Sequence, residues 1–149
     1  MKLQTSTMLA LYSVVEAASQ PGKQVSASEI AERYGVSAHH LAKVLRELGR
    51  AGLVDSSRGV GGGYRFSGNI RRLTLMDVIE RFEDIGARSP EPGTEQTEVG
   101  LAITRVLSEI DEIAKATFRS ITIDTLLKLV ERARKSAAQA AAPARERAR

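Results

Sequence analysis

The sequence predicts a mainly α fold with one small β-hairpin: a winged helix-turn-helix head followed by a long helix. Three observations carry this reading. One short helical pattern runs to Tyr34 and another opens near Ala38, with a tight Gly35 turn between them. A strand, a Gly-rich turn and a second strand follow at once, in Leu53–Arg58, Gly59–Gly63 and Tyr64–Ser67. Farther on, Val99, Ile103, Val106, Ile110, Ile113 and Thr117 are spaced 4, 3, 4, 3, 4, a heptad seam of β-branched residues suited to pairing with a second helix.

Each element has its own local signals. Residues 7–19 read as an amphipathic helix with Met8, Leu11, Tyr12 and Val15 as its apolar face, ended by Pro21-Gly22. Ser26-Ala27-Ser28-Glu29 has the form of a capping box, in which a Ser hydroxyl accepts from the Glu29 amide and the Glu29 carboxylate reaches back. Gly35 is a natural left-handed stop, and Ser37 is placed to cap the next helix, which carries Leu41, Val44, Leu45 and Leu48 on one face and closes at Gly52. Thr74 can cap a further helix, with Asp77 favoured by the positive helix start and Leu75, Val78, Ile79 and Phe82 as its buried stripe. That helix gives way near Gly86 to a loop rich in Pro, Gly, Glu and Thr. The long helix is expected from about Glu98 to Phe118 and the last from about Thr122 to Arg134. The Ala/Arg-rich end from Ser136 is expected to be helical at most in part and otherwise disordered. The expected division is a head at 1–85, a linker loop at 86–97, a helical dimerisation arm at 98–134 and a basic tail at 135–149.

Composition narrows the function classes. The 149 residues are 42% hydrophobic and 27% charged, as in a soluble domain with or without a short extension. No apolar run approaches the roughly 20 residues needed to span a bilayer, and the first residues lack a signal-peptide pattern, so a cytoplasmic protein without a membrane partner is expected. The absence of cysteine excludes disulfides, thiol redox chemistry and Cys-ligated zinc or iron–sulfur clusters. With 4% aromatics and no tryptophan, the chain lacks the faces of a single-strand stacking platform. Charge is unevenly distributed: residues 1–73 carry 10 Lys and Arg against 5 Asp and Glu, residues 74–131 carry 6 against 12, and residues 132–149 carry 6 against 1. A basic N-terminal half places the polyanion-facing surface there.

The chemistry-bearing residues cluster in that half. In a helix-turn-helix, the N-terminal residues of the second helix meet base edges in the major groove. Here these are Ser37, His39, His40 and Lys43, with Arg46 one turn on, able to reach a guanine edge or a phosphate. Arg58 opens the Gly-rich turn, where an arginine can enter a minor groove; Gly61 and Gly62 let the backbone approach phosphates, and Tyr64 and Arg65 follow, the latter as a phosphate contact. Ser28 completes the expected DNA-facing set. The plainer reading of the second helix is a solvated face of a packed helix; the hairpin directly behind it favours DNA.

Enzymatic and metal readings fare worse. A G-x-G-x-x-G cradle starting at Gly59 would need glycine where Tyr64 stands, and no P-loop lysine follows. His39 and His40 are adjacent, so they point about 100° apart on a helix and do not chelate as an i, i+4 pair does. Neighbouring carboxylates such as Glu83-Asp84 and Asp111-Glu112 also point apart. No catalytic residue, metal site or cofactor is expected.

Three stretches together resemble the Rrf2 family of bacterial transcription regulators, the group that includes IscR, NsrR and CymR. They are Ala51-Gly52-Leu53-Val54, then Ser57-Arg58-Gly59-x-Gly61-Gly62-Gly63-Tyr64-Arg65, then Leu73-Thr74-Leu75-x-Asp77-Val78-Ile79. The start Met1-Lys2-Leu3 is similar too; the likeness is close over residues 1–85 and by pattern only over 98–134. It implies a dimeric winged-helix protein whose long helix crosses its partner's. Two heads would read a partly palindromic site through Ser37, His39, His40, Lys43 and the wing arginine Arg58. The stretch Val36–Val44 looks most like the nitric-oxide-sensing branch, whose members hold an iron–sulfur cluster through three cysteines in the loop before the dimer helix. The equivalent loop here, Gly86–Thr97, has none, so that ligand set does not carry over. Glu91, Glu95 and Glu98 are oxygen donors of the kind hard cations take, but a solvated acidic loop is the plainer account. The expected function is thus a double-stranded-DNA-binding regulator, a repressor acting as a homodimer without a cluster and answering to an effector the sequence does not identify. The rival is a protein-interaction or metabolite-responsive module that docks through the acidic middle and the basic tail, with DNA binding secondary.

Overall fold

In the computed structural model, which describes residues 2–86, 92–93 and 97–141, the chain runs α1 (Thr5–Ala18), α2 (Ala27–Tyr34), α3 (Ala38–Arg50), β1 (Val54–Ser57), β2 (Gly63–Phe66), α4 (Leu75–Ile79), α5 (Glu98–Ser120) and α6 (Ile123–Ala141). It is the mainly α fold with a winged helix-turn-helix head that the periodicity predicts. Gly35, at φ +62°, breaks α2: its N–H bonds Glu32 O at 3.3 Å and the Val36 N–H bonds Ala31 O at 3.0 Å. Only a left-handed residue closes that pair of bonds, and glycine adopts the conformation without a Cβ clash. Ser37 then caps α3, its Oγ accepting from the His40 amide at 3.1 Å. The same pair of bonds recurs at Gly52 and Leu53, so α3 ends as α2 does.

The core lies between α1, α3, α4 and the root of the hairpin, where Val14, Leu41, Leu45, Leu48, Val54, Val78, Ile79 and Ile123 are fully buried. β1 and β2 pair antiparallel from Val54↔Phe66 to Ser57↔Gly63. Val25, just ahead of α2, exchanges bonds of 2.8 and 2.9 Å with Tyr64, so the hairpin is stitched to the helix-turn-helix. Thr74 and Asp77 form the reciprocal box that starts α4. The Leu75 N–H to Ile121 O bond and the Ile123 N–H to Leu73 O bond, both 2.9 Å, tie the head of α6 to the segment behind the wing.

Several expectations are corrected. The buried face of α1 is Thr7, Leu9, Ala10, Ser13, Val14, Ala17 and Ala18, whereas Met8, Leu11 and Val15 are half-buried and Tyr12 is exposed. Both sides of α1 are apolar; the side with Ala10, Ser13 and Ala17 goes inward because small residues let α3 and α4 approach closely. Ser26 begins α2 without capping it through its side chain; its Oγ instead pairs with the Ser28 Oγ at 2.6 Å, a nearer partner than the Glu29 amide. α5 runs to Ser120 rather than Phe118. α6 continues to Ala141 rather than Arg134, since Ser-Ala-Ala-Gln-Ala-Ala is a strong helix former. Of the acidic linker, Glu91 and Glu95 lie outside the described residues, as do residues 142–149 of the tail.

Candidate nucleic-acid interface

α3 presents two faces. Leu41, Val44, Leu45 and Leu48 are buried, and the opposite side exposes Ser37, His39, Lys43 and Arg46. The hairpin stands beside it, and Ala42, Arg46 and Gly49 of α3 share a concave strip with Asp55 and Ser57 of β1 and with Arg58. The strip gathers Arg46 and Arg58, two of the expected DNA-facing cations, within one groove. Among the described residues no ion pair is found for Lys43, Arg46 or Arg58, so none of the described carboxylates competes with a polyanion for these charges.

The wing owes its shape to its glycines. A Cβ on Gly62 would lie 2.6 Å from Ser57 O and 2.8 Å from Gly59 O, so the turn closes on itself at that residue. Gly62 therefore serves the fold of the wing, while Gly61, at φ +77° with open space around it, lies exposed nearer the tip. Val60, at 111% relative exposure, stands free at the tip. Tyr64 is half-buried and bridged to Val25.

Other expected residues are engaged within the protein. Arg65 pairs with Asp55 across the hairpin at 3.7 Å, with both side chains more than half exposed. Such a pair is worth well under about 1 kcal/mol and is readily exchanged. His40 is half-buried, and its Nε2 shares a 3.0 Å hydrogen bond with Ser6 Oγ of α1. Ser28 is exposed on the first turn of α2, with its Oγ on Ser26. Ser6 and a carboxylate anchor at Glu16 escape sequence reasoning because each acts across a long sequence separation, and Asp55 because its partner depends on the register of the hairpin. Glu16 of α1 accepts from Arg33 Nη1 at 2.6 Å and from the Tyr34 hydroxyl at 2.7 Å, and the Tyr34 ring stacks on Tyr12 with centroids 4.4 Å apart. Burial pushes the Glu16 carboxyl up, but the bonds from Arg33 and Tyr34 outweigh it and hold it below the usual range. Burial, then the bond to Glu16, push the Tyr34 phenol up to about 12. The anchor docks the end of α2 on α1.

The expected dimer seam lies on α5. Asp111 is its one buried residue, and Val99, Ile103, Val106, Ile110 and Ile113 are 69, 55, 55, 52 and 68% exposed. Thr117, also exposed, donates its hydroxyl to Ile113 O at 2.9 Å. Among the described residues no group of three or more His, Asp or Glu could hold a metal, and no helix is long and apolar enough to cross a membrane.

The family model described as "Iron-dependent Transcriptional regulator", Rrf2, matches residues 3–129. The chain belongs to the Rrf2 family. A relative from Rhodopseudomonas palustris, named as an HTH-type transcriptional regulator, BadM, is 51% identical over 135 residues, covering 91% of this chain and 86% of that protein. Among solved structures, CymR (YrzC), the global cysteine regulator of B. subtilis, superposes with a TM-score of 0.73 at 27% identity, over 87% of this chain and 98% of that one. The T. potens IscR structure superposes with a TM-score of 0.70 at 27% identity, over 89% and 90%. This Rrf2 protein is accordingly a transcription regulator with a winged-helix fold. The iron of the family description finds no thiolate here, since the sequence has no cysteine, and the described residues offer no alternative cluster of donors. The residues present do not fit a cysteine-held cluster.

Proposed function

We propose that this Rrf2 chain binds double-stranded DNA at a partly palindromic operator as a homodimer and represses by occluding a promoter. The observation that carries the reading is the groove that sets Arg46 of α3 beside Arg58 of the wing, on the side of α3 opposite the core. Phosphate contacts from the basic head supply affinity, and His39 and Lys43 at the start of α3 supply selection. The apolar stripe of α5 favours a second copy of the chain, because a contiguous row of half-exposed Val and Ile is disfavoured in water. Two heads joined this way read half-sites about 10 base pairs apart or a multiple of that. The proposal assigns no catalysis to the chain.

The test is selection of bound duplexes from a random pool at near-physiological salt. One enriched, partly palindromic site is the expected result. Arg58→Ala should weaken binding to it strongly, and Lys43→Ala should change which base is preferred. No enrichment, or two variants that bind like the parent, would overturn the assignment and favour a docking module for which DNA is secondary.

A further inference from the structure

We infer that His40 is a positioning residue for DNA recognition, holding the start of the recognition helix against α1, and does not itself read a base. The inference rests on the DNA-binding reading above. It is carried by three contacts. The His40 backbone amide is committed to Ser37 Oγ at 3.1 Å, as the cap of α3 requires. The residue is half-buried, and its ring shares the 3.0 Å bond between Nε2 and Ser6 Oγ of α1. Ser6 lies in the first turn of α1, and that turn is itself fixed: the Gln4 amide donates to Glu83 Oε1 at 2.9 Å, a carboxylate at a positive helix start. The chain of contacts therefore runs from Glu83, behind α4, through the N-terminus of α1 to the first turn of α3.

This arrangement sets His40 apart from its neighbours. His39 and Lys43 are exposed with no partner among the described residues, whereas the distal nitrogen of His40, the atom that would reach a base edge, is already engaged. Two short helices joined by a tight turn have freedom to rock. The cap and turn set where α3 begins, and the Ser6 bond sets its first turn against α1. A recognition helix misplaced by a fraction of an ångström loses directional base contacts while keeping the less directional phosphate contacts. The consequence is specific: breaking the Ser6–His40 bond costs discrimination between sites more than it costs total affinity.

The test is a double-mutant cycle with Ser6→Ala, His40→Ala and the pair, read as the ratio of affinities for the selected site and for a random duplex, with thermal unfolding measured alongside. His40→Gln, whose amide reaches about as far as Nε2, serves as the conservative variant. Each single variant should lower the ratio by about three- to tenfold, as expected for one lost hydrogen bond. The pair should do no worse than either alone, and His40→Gln should recover most of the ratio. If Ser6→Ala keeps the parental ratio while His40→Ala shifts the preferred base, His40 reads DNA directly and the inference is wrong. Loss of thermal stability in both variants with an unchanged ratio also overturns it, by showing a purely structural bond. If the parent protein enriches no site at all, the DNA-binding reading has failed first and the inference falls with it; the parent control separates the two failures.

Discussion

At the scale of single residues, one side chain tends to have two claims on it. Glu16 shows this most plainly. Its partial burial disfavours a charge, yet Arg33 and Tyr34 donate to it and keep it ionised, so it contributes stability that is present above the unfolded carboxylate value and lost as pH falls through its lowered folded value. Tyr34 runs the other way. Its raised value means the folded state prefers the neutral phenol, so its contribution is whole below pH 10 and drains away between about 10 and 12. Chemical denaturation across that range should show a decline that Tyr34→Phe largely removes; parallel curves for the two proteins would contradict the assignment. Gly62 is the other residue with a sharp expectation. Any side chain there meets Ser57 O and Gly59 O, so Gly62→Ala should destabilise the wing by about 1–3 kcal/mol and weaken DNA binding, whereas Gly61, in open space, is constrained by its φ alone. Amide exchange of the hairpin in the two variants separates these cases.

At the scale of elements, caps and seams govern. α4 spans Leu75–Ile79 and is too short to persist by propensity; it depends on the Thr74–Asp77 box and on burial of Leu75, Val78 and Ile79. Asp77→Ala should cost about 0.5–2 kcal/mol in equilibrium unfolding, the usual worth of a lost cap. α5 is the opposite case, a 23-residue helix with one buried residue in the single chain. Its heptad spacing is readable from the sequence alone, and Val99, Ile103, Val106, Ile110 and Ile113 are all exposed in the single chain. On the proposed homodimer reading the parent should sediment as a dimer and Ile110→Glu as a monomer, because a charge at the centre of an apolar seam must be desolvated; a variant that stays dimeric would place the interface elsewhere, and a monomeric parent would overturn the dimer.

At the scale of the whole molecule, the uneven charge acquires a geometry. The basic residues of the N-terminal half include Lys43 and Arg46 on the exposed side of α3 and Arg58 on the adjoining wing, while the acidic middle contributes Glu109 and Glu112 to the exposed side of α5. Binding to any duplex should therefore weaken steeply with salt, with a slope near −0.9 per phosphate neutralised. On the proposed reading, a wing arginine that neutralises one phosphate accounts for about one unit of that slope, so Arg58→Ala should make it shallower by about 1. A slope near zero for the parent would favour the docking-module alternative.

The sequence by itself determined the order of elements, the stops at Gly35 and Gly52, the caps at Ser37 and Thr74, the Gly-rich wing and the apolar heptad stripe of α5. All of these depend on neighbours within a few residues or on one helical period, and local sterics and hydrogen bonding act at that range. Tertiary structure decided what periodicity leaves ambiguous. α1 is apolar on two sides, and only packing against α3 and α4 chose the small-residue face over Met8, Leu11 and Val15. His40 and Arg65 read as DNA contacts from their positions in the motif, but the fold brings Ser6 and Asp55 to them. Ser6 lies 34 residues from His40, a separation across which composition and spacing carry no information about hydrogen-bond geometry.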